Sequence, residues 1–287
     1  MLPLNLNPDP QPYGFTVSPD ACDAHFHVFD QFDEFPFAAD APYIPEAAPN
    51  SDYRAMRQAL GFTRSVLVQP TPYGSDNSML LQLLARNPDY RGVAAAVAGA
   101  SDADLMRLRD AGVRGLRVTS LPRGAEAASY LETLAARAAP HGLHLQLYIG
   151  KGTLLKLVDV LGQLQTPVVL DHMGGLAAAD FGTEASDALL RLLQGGRVWT
   201  KLSGAERVAQ AGPPYVQAQP LMRALVAAAP DRLVWGTDWP HPHLKGRPMP
   251  DDGDLLRVFG EVVHDPGLQQ KILVENPASL YGFDEAM

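Results

Sequence analysis

The chain has 287 residues, 46% of them hydrophobic, and 23 Lys and Arg against 32 Asp and Glu give a formal net charge of −9. This apolar content suffices for one large domain with its own core. The acidic balance argues against nucleic-acid and anionic-membrane partners, because both require a positive surface patch.

No apolar run approaches the roughly 20 residues of a membrane-spanning helix. The single cysteine, Cys22, cannot form an intrachain disulfide, and no charged, apolar leader opens the sequence. We therefore expect a cytoplasmic protein that has no membrane or nucleic-acid partner.

Strand-like and helix-like segments alternate along the chain after a Pro-rich, irregular leader, residues 1–18. The predicted strands are residues 21–28, 65–69, 92–97, 115–118, 143–149, 168–171, 198–202 and 233–237. Helical composition rich in Ala, Leu and Arg marks residues 78–86, 103–111, 127–139, 153–164 and 221–229. The alternation predicts a parallel sheet that is covered on both faces.

Eight such units favour a single α/β domain over residues 19–287, a distorted (β/α)8 TIM barrel. An open, doubly wound sheet that binds a nicotinamide cofactor is disfavoured, because no glycine fingerprint follows the first strand. The leader either covers one end of this barrel or reaches a neighbouring subunit.

Ionisable side chains stand at the ends of three predicted strands. His25 and His27 are two residues apart in Asp-Ala-His-Phe-His, so both side chains point to one face of a strand. His172 ends the apolar run 168–171, and Asp238 follows the run 233–237. Since the carboxyl ends of barrel strands meet at one rim, these four residues are predicted to form the active site. For Asp238 the alternative role is that of a helix N-cap.

The order of these residues resembles the amidohydrolase superfamily, in which HxH follows the first strand and Asp follows the eighth. Within it, the sequence is most similar to the 2-pyrone-4,6-dicarboxylate lactonase branch of the amidohydrolase-2 group. The similarity extends over most of the chain, in residues 35–37, 43–45, 60–62, 68–69, 74–77, 112–117, 170–174, 235–242 and 274–277. It implies a hydrolase that opens a cyclic ester.

The residue types at these positions suit ester hydrolysis. Asp238 can take a proton from water and return it to the leaving oxygen, while His25, His27 and His172 can polarise the carbonyl. The same four residues are also acceptable zinc ligands. No carboxylated Lys or Glu that would bridge two metals is evident at the end of the fourth strand. The resemblance implies catalysis for which no cofactor is required, with zinc possible.

Three arginines are placed to form a local cationic bowl at the rim. Arg117 ends the fourth strand, Arg123 follows it closely, and Arg207 lies shortly after the seventh. Guanidinium groups bind carboxylates through two hydrogen bonds, so this bowl suits a small dicarboxylate lactone. The alternative is that each arginine forms an exposed pair with a nearby acid, for example Glu206; the resemblance favours substrate binding for Arg117 and Arg123.

The resemblance implies further substrate contacts at Tyr43, Thr71, Tyr148 and His243. Two of these depart from the family, which has a serine where Thr71 stands and an asparagine where His243 stands. Thr71 keeps the hydroxyl and adds a methyl group, whereas His243 is bulkier and titrates near neutral pH. These departures leave open which lactone is the substrate, 2-pyrone-4,6-dicarboxylate or a related muconolactone or sugar-acid lactone.

Three alternatives to a lactone hydrolase stay open at the level of sequence. The first is a zinc-dependent decarboxylase of an aromatic or semialdehyde acid, and the second is a lactone isomerase. The third is a barrel that binds carboxylates without catalysis. The remaining histidines His141, His144 and His264 belong to no evident constellation and are assigned structural roles.

Overall fold

A computed structural model describes residues 6–7, 9–11, 16–30, 32–118, 121–122, 124, 126–209, 211–242, 244 and 247–283. Within them, eight parallel strands form one sheet in chain order. The strands are β1 (Cys22–Phe26), β2 (Arg64–Val68), β3 (Tyr90–Ala95), β4 (Val113–Val118), β5 (His144–Leu147), β6 (Val168–Leu170), β7 (Val198–Lys201) and β8 (Leu233–Val234).

Helices lie on the outside of the sheet, and all but the last three connect consecutive strands. They are α1 (Asn50–Leu60), α2 (Ser78–Arg86), α3 (Asp102–Asp110), α4 (Glu126–Ala138), α5 (Lys151–Leu161), α6 (Glu184–Gln194), α7 (Ala205–Val208), α8 (Gln219–Ala228), α9 (Asp252–Val262), α10 (Pro266–Gln270) and α11 (Asn276–Tyr281). The predicted strands and helices are confirmed, with ends that differ by a few residues. Helices α1, α6, α7, α9, α10 and α11 lie in segments for which no helix was predicted.

The sheet closes through backbone hydrogen bonds between β1 and the segment that follows β8. Ala24 N donates to Trp235 O and His27 N donates to Trp239 O, each at 2.8 Å. Asp238 N donates to His25 O, also at 2.8 Å. The result is the predicted (β/α)8 barrel, and its closure brings Asp238 alongside the two histidines of β1.

The core has an outer and an inner part. The outer part fills the space between strands and helices, where Leu, Ala and aromatic side chains are buried. A smaller apolar group, which includes Val66, Val93, Val169 and Val234, fills the barrel interior. Branched side chains of this kind are typical of barrel interiors. This packing leaves the polar side chains of the interior towards the carboxyl ends of the strands.

The described part of the leader packs against its own barrel. Asn7 Nδ2 donates a hydrogen bond of 2.5 Å to Asp251 Oδ2, immediately before α9. The Gln11 carbonyl lies so close to Gly253 that a Cβ there would approach the oxygen to 2.2 Å. Among the helices described, none has both the length and the apolar composition needed to cross a bilayer.

Candidate active site

The four residues predicted to be catalytic meet at the carboxyl end of the barrel. Asp238 Oδ1 lies 3.5 Å from His25 Nε2, 3.5 Å from His27 Nε2 and 3.6 Å from His172 Nε2. The two Nε2 atoms of His25 and His27 are 3.3 Å apart. All four side chains are almost completely buried. The structure therefore brings together residues from β1, from the turn after β6 and from the segment after β8.

An irregular register in β1, between Asp23 and Phe26, sets the direction of the histidines. Strict alternation would put Asp23 and His25 on one face, yet Asp23 accepts a hydrogen bond from Tyr53 of α1, on the outside of the sheet. A β-bulge of this kind re-aims the side chains that follow it. It directs His25 and His27 into the barrel.

Asp23 also fixes the loop that carries Asp238. Its carboxylate accepts hydrogen bonds from Thr237 N (2.9 Å) and Thr237 Oγ1 (2.7 Å). Asp238 itself has a left-handed backbone, with φ of 67°, and His172 has φ of 49°. Such conformations cost of order 1 kcal/mol or more for residues other than glycine, so the surrounding contacts must hold them. Asp238 does not cap a helix, because the segment after it is irregular.

The outer ring nitrogens are held by different partners. His27 Nδ1 lies 2.8 Å from Val68 O, and a carbonyl can only accept, so this nitrogen carries the proton in the neutral ring. His172 Nδ1 lies 2.9 Å from Ser203 Oγ. These contacts fix the orientation of both rings while their Nε2 atoms face Asp238.

Burial keeps the three imidazoles neutral near pH 7. It lowers the pKa of His172 to about 4. Burial also lowers the pKa of His27, and it lowers that of His25 well below the usual value, with the charge of Lys201 adding to the effect. Neutral rings can donate or accept at Nε2 according to their tautomer.

Asp238 is ionised because of Arg207. Burial alone would raise the pKa of Asp238, but Arg207, followed by His172, outweighs burial and holds it well below its usual range. Arg207 Nε donates to Asp238 Oδ2 at 2.8 Å, and its Nη2 bonds the same oxygen. Glu206 Oε1 lies 3.4 Å from Arg207 Nε. The other carboxylate oxygen, Asp238 Oδ1, accepts no hydrogen bond from the residues that the structure describes.

The predicted substrate-binding residues fall around this cluster with different surroundings. Arg117 is buried and donates to Gln69 O at 2.8 Å. Tyr148 is 51% exposed and its ring lies edge-on to that of His172, with centroids 5.2 Å apart. Tyr43 is partly buried and lines a cavity of about 290 Å³ with Pro240 to Pro242 of the loop after β8.

Thr71 begins the turn Thr71–Tyr73 after β2 and is partly buried. Arg123 and His243 lie outside the described residues. Arg207 is engaged with the candidate general base, an arrangement that the sequence did not predict.

Three buried polar residues that contact one another beside His25 were not predicted as part of the site: Lys201, Asp171 and Gln146. Lys201 Nζ, at the end of β7, lies 3.2 Å from His25 Nδ1 and 3.4 Å from Asp171 Oδ1. Gln146 of β5 contacts both, since Lys201 donates to its Oε1 and its Nε2 donates to Asp171 Oδ2. An ionisable residue that ends an apolar strand was the signal used for His172 and Asp238. The same signal marks Lys201.

The four inward atoms also suit a zinc ion. In a tetrahedral site with bonds of about 2.0–2.1 Å, ligand atoms are about 3.3 Å apart. The separations of 3.3–3.5 Å among His25 Nε2, His27 Nε2 and Asp238 Oδ1 are close to that value, and His172 Nε2 lies 3.6 Å from Asp238 Oδ1. These four residues would hold the ion, and a bound ion would polarise a carbonyl as a Lewis acid.

Comparisons with known proteins show the family of this chain. The family model described as Amidohydrolase matches residues 22–283. A 2-pyrone-4,6-dicarboxylate hydrolase of Comamonas testosteroni is 38% identical over 98% of this chain and 96% of its own. A 4-sulfomuconolactone hydrolase of Rhizobium radiobacter is 35% identical, covering 94% and 93%.

One solved structure, from Pseudomonas putida, has a provisional description as a 2-pyrone-4,6-dicarboxylic acid hydrolase. It superposes with a TM-score of 0.78 at 30% identity over 94% of this chain and 100% of that one. The family model and the relatives match this chain over nearly its full length, which leads to one assignment. This chain belongs to the amidohydrolase family.

Proposed function

We propose that this protein is an enzyme that hydrolyses a lactone bearing carboxylates, 2-pyrone-4,6-dicarboxylate or a related muconolactone or sugar-acid lactone. The observation that carries the proposal is the convergence of an ionised Asp238 with three neutral imidazoles beside Arg207. The two relatives described above open lactones, and the nearly full-length match to them supports the same reaction here.

Asp238 is proposed as the general base. Its Oδ2 is held by Arg207, so Oδ1 is the oxygen that accepts the proton of an attacking water. The water oxygen bonds to the lactone carbonyl carbon, and the carbonyl oxygen takes up negative charge. The ring C–O bond then breaks, and Asp238 returns the proton to the leaving oxygen.

The imidazoles are proposed to stabilise the oxyanion. A neutral ring with a proton on Nε2 donates a hydrogen bond to the developing charge at low desolvation cost, because the donor is already oriented in a buried site. His172 and His25 are the candidates for this donation, since the proton of His27 is on Nδ1. No step of this scheme needs a cofactor that the chain does not supply, and we expect activity without added metal.

The substrate's carboxylates are proposed to bind at the arginines. Arg117 lies at the rim as a buried cation, and Arg207 would bind a carboxylate while it also holds Asp238. Arg123 and His243 belong to the same proposed set, together with the hydroxyl groups of Tyr43, Thr71 and Tyr148. A small-molecule dicarboxylate is the ligand class that this set of donors fits best.

The decisive experiment follows the ultraviolet absorbance of 2-pyrone-4,6-dicarboxylate with chelator-treated protein. Loss of the absorbance of the conjugated ring, with a ring-opened acid as product, is the expected result. Turnover that returns only when zinc is restored would retain hydrolysis and reject catalysis without a metal. If the absorbance stays constant under both conditions, a panel of muconolactones and sugar-acid lactones is tested next. If the protein hydrolyses none of them, the proposed function is rejected.

The variant Asp238→Asn tests the role of the base. An amide cannot accept the proton, so we expect kcat to fall by about 10²–10⁴-fold with a much smaller change in KM. Asp231→Asn is the control, because Asp231 is an exposed partner of Lys271 far from the site. Near-normal turnover by Asp238→Asn would contradict the mechanism.

The products separate the alternatives. A decarboxylase would release carbon dioxide from an acid substrate, and an isomerase would give a second lactone without accumulation of open-chain acid. A barrel that only binds carboxylates would keep its affinity in Asp238→Asn and turn over no substrate. Neither of the two relatives above is a decarboxylase, which favours hydrolysis. A cytoplasmic location stays a prediction from the sequence.

A further inference from the structure

Lys201 is a buried cation to which the proposed mechanism assigns no role. Its side chain is completely buried in the barrel interior. The ammonium has three N–H donors and makes three hydrogen bonds, to Ala24 O at 2.9 Å, Gln146 Oε1 at 3.0 Å and His25 Nδ1 at 3.2 Å, while Asp171 Oδ1 lies farther away, at 3.4 Å. Each donor therefore has one acceptor, and His25 Nδ1 is one of them.

This contact determines the tautomer of His25. A ring nitrogen that accepts from an ammonium carries no proton, so the proton of the neutral ring is on Nε2. His27 has the opposite tautomer, because its Nδ1 donates to Val68 O and its Nε2 is bare. The two Nε2 atoms are 3.3 Å apart, a donor facing an acceptor. Without a bound substrate, the hydrogen bonds thus run in one direction, from Lys201 through His25 and His27 to Val68 O.

Asp171 competes with Lys201 for the same ring nitrogen. The Oδ1 atom of Asp171 lies 3.3 Å from His25 Nδ1, yet this oxygen makes no hydrogen bond with any residue within the described ranges. A histidine that binds a metal through Nε2 usually donates its other N–H to a carboxylate. Asp171 is placed to accept that N–H, but only if Lys201 no longer donates to Nδ1.

We propose that Lys201 is a positioning residue that holds His25 in the Nε2–H tautomer and thereby selects against a divalent metal at the histidine cluster. The proton on Nε2 occupies the lone pair that a metal would need, and the ammonium charge opposes a second cation across the ring. This inference deepens the proposed function, but metal uptake is measured without substrate. The experiments can therefore reject the proposed lactone hydrolysis and the proposed role of Lys201 independently of each other.

The first test is a zinc titration of chelator-treated protein by calorimetry, with the bound metal quantified. Lys201→Met is expected to bind zinc at least about tenfold more tightly than the wild type, since changes next to a metal ligand alter affinity by about 10–100-fold. Adding Asp171→Asn to this variant should abolish the gain. Lys151→Met is the matched control, because Lys151 is an exposed lysine paired with Asp180 on the outside of the barrel.

Equal zinc affinity in folded Lys201→Met and wild type would overturn the proposal, as would a gain that persists in the double variant. Lys201→Gln, which keeps a hydrogen-bond donor and loses the charge, serves if Lys201→Met does not fold. Circular dichroism establishes that each variant is folded.

The second test reads the tautomer in the wild-type protein. In ¹⁵N spectra of chelator-treated protein with labelled histidine, the signals lost in His25→Gln identify His25. The expected wild-type spectrum shows a protonated Nε2 and a bare Nδ1 for this ring, and Lys201→Gln is expected to reverse the two. A proton on Nδ1 of His25 in the wild type would refute the assignment, even if no variant of Lys201 folds.

Discussion

At position 238 a carboxylate stays ionised although it is buried, and Arg207 makes the largest contribution against the effect of burial. Arg207 contacts only one of the two carboxylate oxygens, which leaves Oδ1 directed at the three imidazoles. If cations contacted both carboxylate oxygens of Asp238, neither oxygen could accept a proton from water. A distant cation would leave a buried charge that the fold could not hold. The placement of one guanidinium therefore determines whether this residue can accept a proton.

A prediction at the residue scale concerns Arg117. Replacement by Met keeps the aliphatic packing and removes the charge, so we expect KM for a dicarboxylate lactone to rise about 10–100-fold, as for loss of charged hydrogen bonds. We expect kcat to change much less. Steady-state kinetics measure both, with Arg107→Met as control because Arg107 is exposed on α3. A fall in kcat alone, at unchanged KM, would assign Arg117 to the chemical step instead.

At the scale of elements, a side chain of one strand fills the volume that a small residue leaves on the neighbouring strand. Gly115 of β4 stands beside His144 of β5 in the register of the sheet. A Cβ at Gly115 would lie 2.2 Å from His144 Nε2, so the imidazole fills the volume that the glycine leaves. His144 was assigned a structural role from the sequence, and its buried position in the interior fits that role.

This pair gives a prediction on stability. Gly115→Ala should destabilise the protein by about 1–3 kcal/mol through overpacking. In a His144→Ala background the same substitution should cost little, so the double-mutant cycle should show a coupling of similar size. Urea unfolding gives the four free energies. Gly152→Ala on α5, where a Cβ meets nothing within 4 Å, is the control. Additive effects would show that the two sites are independent.

For the whole molecule, the closed barrel buries several titratable groups, and this makes stability depend on pH. Burial lowers the pKa of His144 to about 3 and that of His172 to about 4. The unfolded chain protonates these rings below the ordinary value of about 6.5, whereas the folded protein does not. Folding is therefore penalised as the pH falls from about 6.5 towards 4. Asp23 acts in the opposite sense, because burial raises its pKa to about 6.

We expect the free energy of unfolding to fall between pH 6.5 and pH 4, because four buried histidines have a lowered pKa (His25, His27, His144 and His172) and only three described carboxyl groups have a raised one (Asp23, Glu206 and Asp254). Each neutral buried histidine contributes a slope of at most about 1.4 kcal/mol per pH unit. Urea denaturation at pH 7, 6 and 5 measures the slope, and His144→Asn should make it shallower. A stability that is constant over this range would show that these rings are protonated in the folded state.

The sequence by itself determined the barrel and the four residues at its centre. Apolar runs at a regular spacing predict strands locally, and an ionisable residue at the end of a buried strand stands at the functional rim whichever strands are its neighbours. Only the tertiary structure decided the charges and tautomers of the site. Lys201 meets His25 across 176 residues of chain, and Arg207 meets Asp238 through the closed barrel. Such pairings depend on the closure of the sheet and on a bulge in β1, and neither leaves a local pattern in the sequence.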